Sequence, residues 1–271
     1  MGYRSMRRIN IVGHQNPDTD SICSALAYTW LKNGGKLCGT YEARRAGNIN
    51  RETAFVLNYF GMDAPRLCTD LSPQIKDIDI REQAGIDAET SIRDAWSLMR
   101  TDEIDTLCIT NEDNELQGLI TIKDIANSNM ELFDTSVLSA ADTSYANILK
   151  TLDAKLIAGD ENSRISKGSI CIGTSPEIME EIIKEGDVVL GTNKYETQLC
   201  AIEMGAKLIV VCCGAPVTKT MLAYAKEKGC DIMVSPYETY AAARLITTAI
   251  PVRHLMMTDD LIKFSVNTPI E

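Results

Sequence analysis

The chain reads as an α/β protein assembled from several segments, and three stretches say so. The first is a short β-branched run, Ile9, Ile11 and Val12, which stops at Gly13 and leads through a polar loop into an apolar stretch closed by Gly34-Gly35. The second is an apolar stripe at helical spacing, Ile92, Ala95, Trp96 and Met99, followed by two short β-type runs and a further helix start. The third is a regular alternation of strand-type and helix-type stretches from Ser169 to Thr247, which implies a mostly parallel sheet.

Taken in order, residues 8–12 are expected to form a short buried strand. A helix over about 21–32 follows, with Asp20 or Ser21 as its N-cap and Gly34-Gly35 as its stop. The loop between them carries His14, Asp18 and Asp20. Three potential metal ligands therefore sit at a strand's carboxyl end facing a helix N-terminus, where α/β sheets place their sites. An imidazole with two carboxylates suits Mn²⁺, Mg²⁺ or Zn²⁺. Pro17 stiffens the loop, and the i, i+2 spacing of Asp18 and Asp20 lets both turn towards one cation, which relieves their repulsion. Both aspartates also suit plain capping of the helix, with His14 bonding locally.

Lys36–Tyr41 is expected as a second strand, with a polar connection from Glu42 onwards. Asn48 or Asn50 caps a helix Arg51–Phe60 that ends at Gly61, and Phe55, Leu57, Tyr59 and Phe60 read as its core face. The helix Thr90–Arg100 precedes strands Thr106–Thr110 and Leu116–Thr121, and a helix covers Lys123–Asn129. Further on, Ala146–Leu152 is helical. Strands at Ser169–Gly173, Asp187–Leu190, Lys207–Cys212 and Asp231–Ser235 then alternate with helices at Ser175–Lys184, Lys194–Met204, Thr218–Lys228 and Thr239–Thr247.

Composition narrows the classes. At 271 residues the chain has room for two cores. Its net charge of −11 disfavours wrapping nucleic acid or an anionic membrane. No apolar run reaches the length of a bilayer span, and Met1–Arg8 does not read as a signal peptide. Nine cysteines, odd in number and scattered through apolar positions such as Cys108, Cys171, Cys200, Cys212 and Cys213, point to reduced, buried thiols in a cytoplasmic protein.

Gly13-His-Gln-Asn-Pro-Asp-Thr-Asp-Ser-Ile-Cys-Ser-Ala25 resembles the first motif of the manganese-dependent (family II) inorganic pyrophosphatases of the DHH phosphoesterase superfamily. After Arg66-Leu67 the order β–α–β–β–α, with Gly118-Leu-Ile-Thr-Ile-Lys-Asp124 on its second hairpin strand, resembles a CBS motif. The stretches at Asp187, Gly205 and Ser235 resemble a DRTGG domain, although Gly191-Thr-Asn-Lys-Tyr195 keeps its name-giving sequence poorly. Pro251–Glu271 resembles the opening of a second CBS motif, cut off where its first helix should begin. The expected segments are 1–70 for the start of a DHH-type parallel-sheet domain, 71–130 for the first CBS motif, 131–249 for the DRTGG-like domain, and 250–271 for the start of the second CBS motif.

The resemblance implies hydrolysis of pyrophosphate by two Mn²⁺ (or Co²⁺ or Mg²⁺) ions. His14 and Asp18 would serve one metal and Asp20 the other. It also implies regulation by AMP, ADP or ATP through Thr121 and Asp124, and a homodimer. Asp124 equally suits capping of its helix. The family's remaining aspartate ligands and its Asp-His-His motif are not found in these 271 residues. The chain alone is therefore expected to hydrolyse pyrophosphate negligibly. Two other readings stand beside this one: a non-catalytic adenine-nucleotide sensor, and another DHH-family phosphoesterase.

Overall fold

A computed structural model describes residues 9–68, 72–130 and 134–270. Residues 1–8, read above for a leader, and Glu271 lie outside the described residues. The chain falls into two compact units, Met1–Arg81 with Phe264–Glu271, and Glu82–Lys263.

The first unit runs β1 (Ile9–Val12), α1 (Thr19–Lys32), β2 (Tyr41–Arg45), α2 (Arg51–Tyr59) and β3 (Arg66–Leu67). The three strands are parallel in the order β1-β2-β3, with Ile9 opposite Tyr41 and Arg44 opposite Arg66. Ile22, Leu26 and Leu57 form its small core, with Ala43, Ile49 and Met62 against them. Residues 73–76 exchange backbone bonds with 266–270, for example Lys76 N–H to the Val266 carbonyl at 2.9 Å.

Four expectations change here. The strand read as buried is half-open, with Ile9 43% exposed, because β1 is an edge strand. The second strand begins at Tyr41, where 36–41 was expected. The Asn33 side chain donates to the Tyr41 carbonyl (2.8 Å) and accepts from its N–H (3.1 Å), which starts the strand there. Its charges are absorbed locally: Arg44 pairs with Glu42 at 2.7 Å, and Arg45 donates to the carbonyls of Pro65 and Gly47. The first helix starts two residues early, because Asp18 is its N-cap and Asp20 and Ser21 lie inside its first turn. Of the supposed core face of α2 only Leu57 is buried, while Phe55, Tyr59 and Phe60 are each about 70% exposed.

The second unit opens with Ile86 bridged in parallel to Ile109. It continues through α3 (Ile92–Asp102), the antiparallel pair β4 (Thr106–Thr110) and β5 (Leu116–Thr121), and α4 (Ile122–Met130). Ser91 caps α3 by accepting from the Asp94 N–H at 3.1 Å. Ile92, Ala95 and Met99 are buried as the stripe requires, but Trp96 stays 40% exposed.

Next come α5 (Val137–Ala140), β6 (Thr143–Ser144), α6 (Tyr145–Thr151), β7 (Lys155–Ala158), β8 (Arg164–Ile165) and β9 (Ile170–Ile172). The alternating series follows: α7 (Pro176–Ile182), β10 (Val188–Gly191), α8 (Tyr195–Glu203), β11 (Leu208–Val211), α9 (Lys219–Lys228), β12 (Asp231–Val234) and α10 (Thr239–Ile246). Strands β9 to β12 are parallel, and β7 closes the β12 edge antiparallel, giving the order β7-β12-β11-β10-β9. The central strands are buried throughout, as their unbroken apolar runs demand. Val188 and Leu190 face a core shared with α6 and α10, and Val189 faces one shared with α7, α8 and α9.

The segment read as a second motif's opening lies beside the first. Leu119 and Met257 exchange backbone bonds at 3.0 and 2.8 Å, Ile92 N–H donates to the Ile250 carbonyl, and Val252 is fully buried. No disulfide joins cysteines among the described residues. Cys200, Cys212 and Cys230 are buried, whereas Cys213, expected inside, is exposed. No helix among the described residues is long and apolar enough to cross a membrane.

Candidate functional site

Two places gather the residues singled out by the sequence. In the first unit the loop from Gly13 runs along the N-terminal turn of α1. The Asp18 carboxylate accepts from the Ser21 N–H at 2.8 Å and lies 3.4 Å from His14 Nε2. The Ser21 N–H is the largest influence holding the Asp18 carboxyl below the usual carboxylate range; burial opposes it slightly, and His14 adds to it. Asp20 stands apart from this pair, its carboxylate 3.5 Å from the Ser24 hydroxyl.

Two of the three proposed ligands therefore meet and the third does not. Among the described residues no group of three or more His, Cys, Asp or Glu side chains is arranged to hold a metal ion. The donor set of this chain fits a cation only in part. A cleft of about 670 Å³ nevertheless opens on the loop, with Gly13, His14, Asp20, Ser21, Ser24 and Tyr28 in its wall. The Ser21 hydroxyl is buried there without a partner among the described residues, against the Cα of Gly13, where any Cβ would collide with it. Sequence reasoning passed over Ser21 except as a cap. Its place next to Asp20 and three residues from a capping aspartate was the available signal.

The second place is the junction of β5 and α4. Thr121 and Asp124 bind each other: the Thr121 N–H and hydroxyl both donate to Asp124 Oδ2, at 2.8 and 2.7 Å, and the Asp124 N–H returns to Thr121 Oγ1 at 3.3 Å. This is a reciprocal cap at the start of a helix. It leaves the two side chains together at a strand-to-helix junction, where a helix N-terminus can receive phosphate. Gly118 lets the neighbouring segment approach, since a Cβ there would stand 2.8 Å from the Met257 carbonyl oxygen.

A charged node lies elsewhere in the same unit. Glu89 holds Arg164 at 2.8 Å through one oxygen and Arg253 at 2.5 Å through the other. Both guanidiniums also donate to the carbonyl of Asp142, a residue with φ of +46°. No sequence pattern flagged this node, because its members come from four separated segments.

Comparison with known proteins places these elements. Residues 75–131 match the CBS domain family, and residues 147–249 match the DRTGG domain family. The chain is 31% identical to the cobalt-dependent inorganic pyrophosphatase of Clostridium perfringens, over 97% of this chain and 48% of that protein. It is 28% identical to a probable manganese-dependent inorganic pyrophosphatase of Thermotoga maritima, over 93% of this chain and 46% of that one. A probable manganese-dependent inorganic pyrophosphatase of Clostridium acetobutylicum is 59% identical over 64 residues, 24% of this chain and 20% of that protein. The chain thus spans about half the length of the curated relatives it matches over most of its residues. Among solved structures, the CBS and DRTGG domains of the regulatory region of Clostridium perfringens pyrophosphatase, complexed with the activator diadenosine tetraphosphate, superpose with a TM-score of 0.66. The identity is 26%, over 70% of this chain and 83% of that one.

Proposed function

We infer, from a chain related over nearly all its length to metal-dependent inorganic pyrophosphatases and carrying a CBS and a DRTGG domain, that its second unit senses an adenine nucleotide on behalf of a pyrophosphate-hydrolysing enzyme. The observation that carries this reading is the likeness of the regulatory fold to one whose solved form holds diadenosine tetraphosphate. Thr121 and Asp124 are the proposed contacts. The hydroxyl and the carboxylate sit at a helix start suited to a phosphate and a ribose. AMP, ADP and ATP are the simpler candidates of the same chemistry.

Pyrophosphate is the proposed substrate of the whole enzyme, and Mn²⁺ or Co²⁺ its metal. His14 and Asp18 would contribute donors from the pair already in contact, and Asp20 would contribute by turning from its long contact with Ser24. When bound, such ions activate water for attack on phosphorus. What the chain's own residues do is hold the Asp18 carboxylate ionised and fix the loop to α1. A cytoplasmic homodimer completes the proposal.

The second reading, a nucleotide-binding chain without turnover, is favoured by one observation: no three candidate donors come together among the described residues. Calorimetric titration with diadenosine tetraphosphate tests the shared part of both readings, and absence of binding overturns it. Phosphate release from pyrophosphate with Mn²⁺ present then tests the second reading. Turnover abolished by Asp20→Ala overturns the sensor without turnover, whereas negligible turnover of this chain alone is what both readings expect.

A further inference from the structure

Within the first unit, the loop that carries His14, Asp18 and Asp20 is held by the segment from Arg45 to Thr53. Of residues 13–18 only Pro17 is buried, while His14, Gln15, Asn16 and Asp18 are all exposed. An exposed loop keeps its side chains in fixed places only where its backbone is pinned, because ordering a free backbone costs conformational entropy. Asp18 supplies one pin itself, through the Ser21 N–H. Two more come from the turn after β2 and the start of α2.

The first of these is Gly47. Its φ is not positive, so space and not backbone conformation calls for glycine here. A Cβ at this position would collide with the Gln15 carbonyl oxygen and stand 2.9 Å from Pro17 Cδ. The Gly47 backbone therefore lies directly against the loop, at its one buried residue. Arg45, the last residue of β2, fixes Gly47 in turn. Its Nη1 donates to the Gly47 carbonyl at 2.6 Å and its Nε to the Pro65 carbonyl at 2.9 Å, which ties this turn to the chain entering β3.

The second is Thr53. It is fully buried in the first turn of α2, and its N–H donates to Asn50 Oδ1 at 2.7 Å. Its hydroxyl lies 3.1 Å from the Thr19 hydroxyl, and the two share a hydrogen bond. Thr19 opens α1 and stands between Asp18 and Asp20, so a bond that fixes it also fixes the backbone of both aspartates.

We propose that Gly47 and Thr53 are positioning residues for the loop donors. Gly47, braced by Arg45, sets the turn from His14 to Asp18, and Thr53 sets Asp18 and Asp20 through Thr19. This deepens, and rests on, the reading of the loop as a metal-donor site. Residues behind the ligands of a metal orient those ligands, and their loss typically weakens metal binding about tenfold or more.

The test uses the full chain with Gly47→Ala, Thr53→Val and Thr53→Ser. Thr53→Val keeps the buried shape and removes the hydroxyl, and Thr53→Ser restores it. The first readout needs no metal: amide hydrogen exchange at Ser21, whose N–H is bonded to Asp18, and at Met62, whose N–H is bonded to the Leu57 carbonyl at 2.9 Å. Ser21 should exchange about fivefold or more faster in Gly47→Ala and Thr53→Val, stay at the parent rate in Thr53→Ser, and leave Met62 unmoved in all three. Equal acceleration at Met62 would show a plain loss of stability and overturn the positioning role, as would an unchanged Ser21 in Thr53→Val. The second readout is calorimetry with Mn²⁺. Affinity should fall about tenfold or more in Gly47→Ala and Thr53→Val and recover in Thr53→Ser. Mn²⁺ affinity equal in parent and variants would overturn the proposal. No Mn²⁺ binding by the parent would instead overturn the metal reading of the loop, and the exchange rates would then decide the positioning role alone.

Discussion

The Tyr145 hydroxyl donates to the Asp231 carboxylate at 2.8 Å, joining residues 86 apart in the chain, and Lys207 Nζ reaches the same oxygen at 2.6 Å. Tyr145 opens α6 and Asp231 opens β12, so one bond fastens a helix to the sheet it covers. Tyr145→Phe keeps the ring's packing and removes the bond, leaving Asp231 to the ammonium alone. The expected cost is about 1–2 kcal/mol. Urea unfolding measures it, and an unchanged midpoint would remove this bond from the account.

Stability should fall at alkaline pH, and buried thiols should be part of the reason. Burial, followed by the Asp231 charge, pushes the Cys230 thiol up to about 12. Burial, followed by Asp187, pushes Cys171 up to about 11, both from an ordinary 9.0. Above pH 9 the unfolded chain releases these protons while the fold keeps them. Their contribution is therefore complete below pH 9 and is lost as pH rises towards 11 and 12. Unfolding midpoints at pH 8, 9.5 and 10.5 should decline, and Cys230→Ala should flatten the decline. A flat wild-type profile would contradict this.

Glu89 sets the acid side. Burial alone would raise its carboxyl, but the hydrogen bonds from Arg164 and Arg253 outweigh that and hold it below the usual range. A carboxylate of this kind contributes stability above its unfolded value of 4.5, and the contribution disappears as pH falls through the folded value. Its side chain is nearly half exposed, so Glu89→Gln should cost about 1 kcal/mol or less. Comparing acid unfolding of the two proteins checks this. The variant should show a smaller acid-induced loss.

The legible and illegible parts of this fold divide along physical lines. The alternating segment was readable because β10 and β11 are unbroken apolar runs, and β12 is apolar after Asp231, each between helical stretches, so period alone locates them. The hairpin β4–β5 was readable because turn residues separate two alternating strands. Strand β2 was misplaced because it is Tyr-Glu-Ala-Arg-Arg, whose charges are neutralised by Glu42–Arg44 pairing and by carbonyls that no local pattern announces. Phe55, Tyr59 and Phe60 looked like core because aromatic residues usually are, yet burial depends on what lies opposite. At the loop site the residue types were legible, but the geometry was not. Nothing in the spacing of His14, Asp18 and Asp20 says that Asp18 would cap α1 and Asp20 would turn to Ser24.

Asp18 allows its two roles to be separated. Asp18→Asn retains a side-chain oxygen for the Ser21 N–H, so the helix cap survives nearly intact. Asp18→Ala removes the cap and lowers stability further. If Asp18 is a metal donor, both variants lose Mn²⁺ binding to a similar degree although their stabilities differ. Calorimetry with Mn²⁺ alongside urea unfolding distinguishes the cases. Mn²⁺ binding that survives in Asp18→Ala would remove Asp18 from the metal centre.

The most direct test is nucleotide binding at the β5–α4 junction. The chain has two tryptophans, and Trp30→Phe leaves Trp96 on α3 as the reporter within the CBS domain. On this background the fluorescence of Trp96 is titrated with diadenosine tetraphosphate, AMP, ADP and ATP. The same titration is repeated with Thr121→Val and Asp124→Ala combined. Loss of the reciprocal cap costs the variant about 1 kcal/mol of helix stability whatever the ligand does. The account predicts saturable binding of at least one adenine nucleotide to the parent and a loss of about tenfold or more in the double variant, measured where both proteins are folded. Nucleotide affinity unchanged in the double variant would leave Thr121 and Asp124 as a helix cap alone, and no binding to the parent would contradict the sensing function itself.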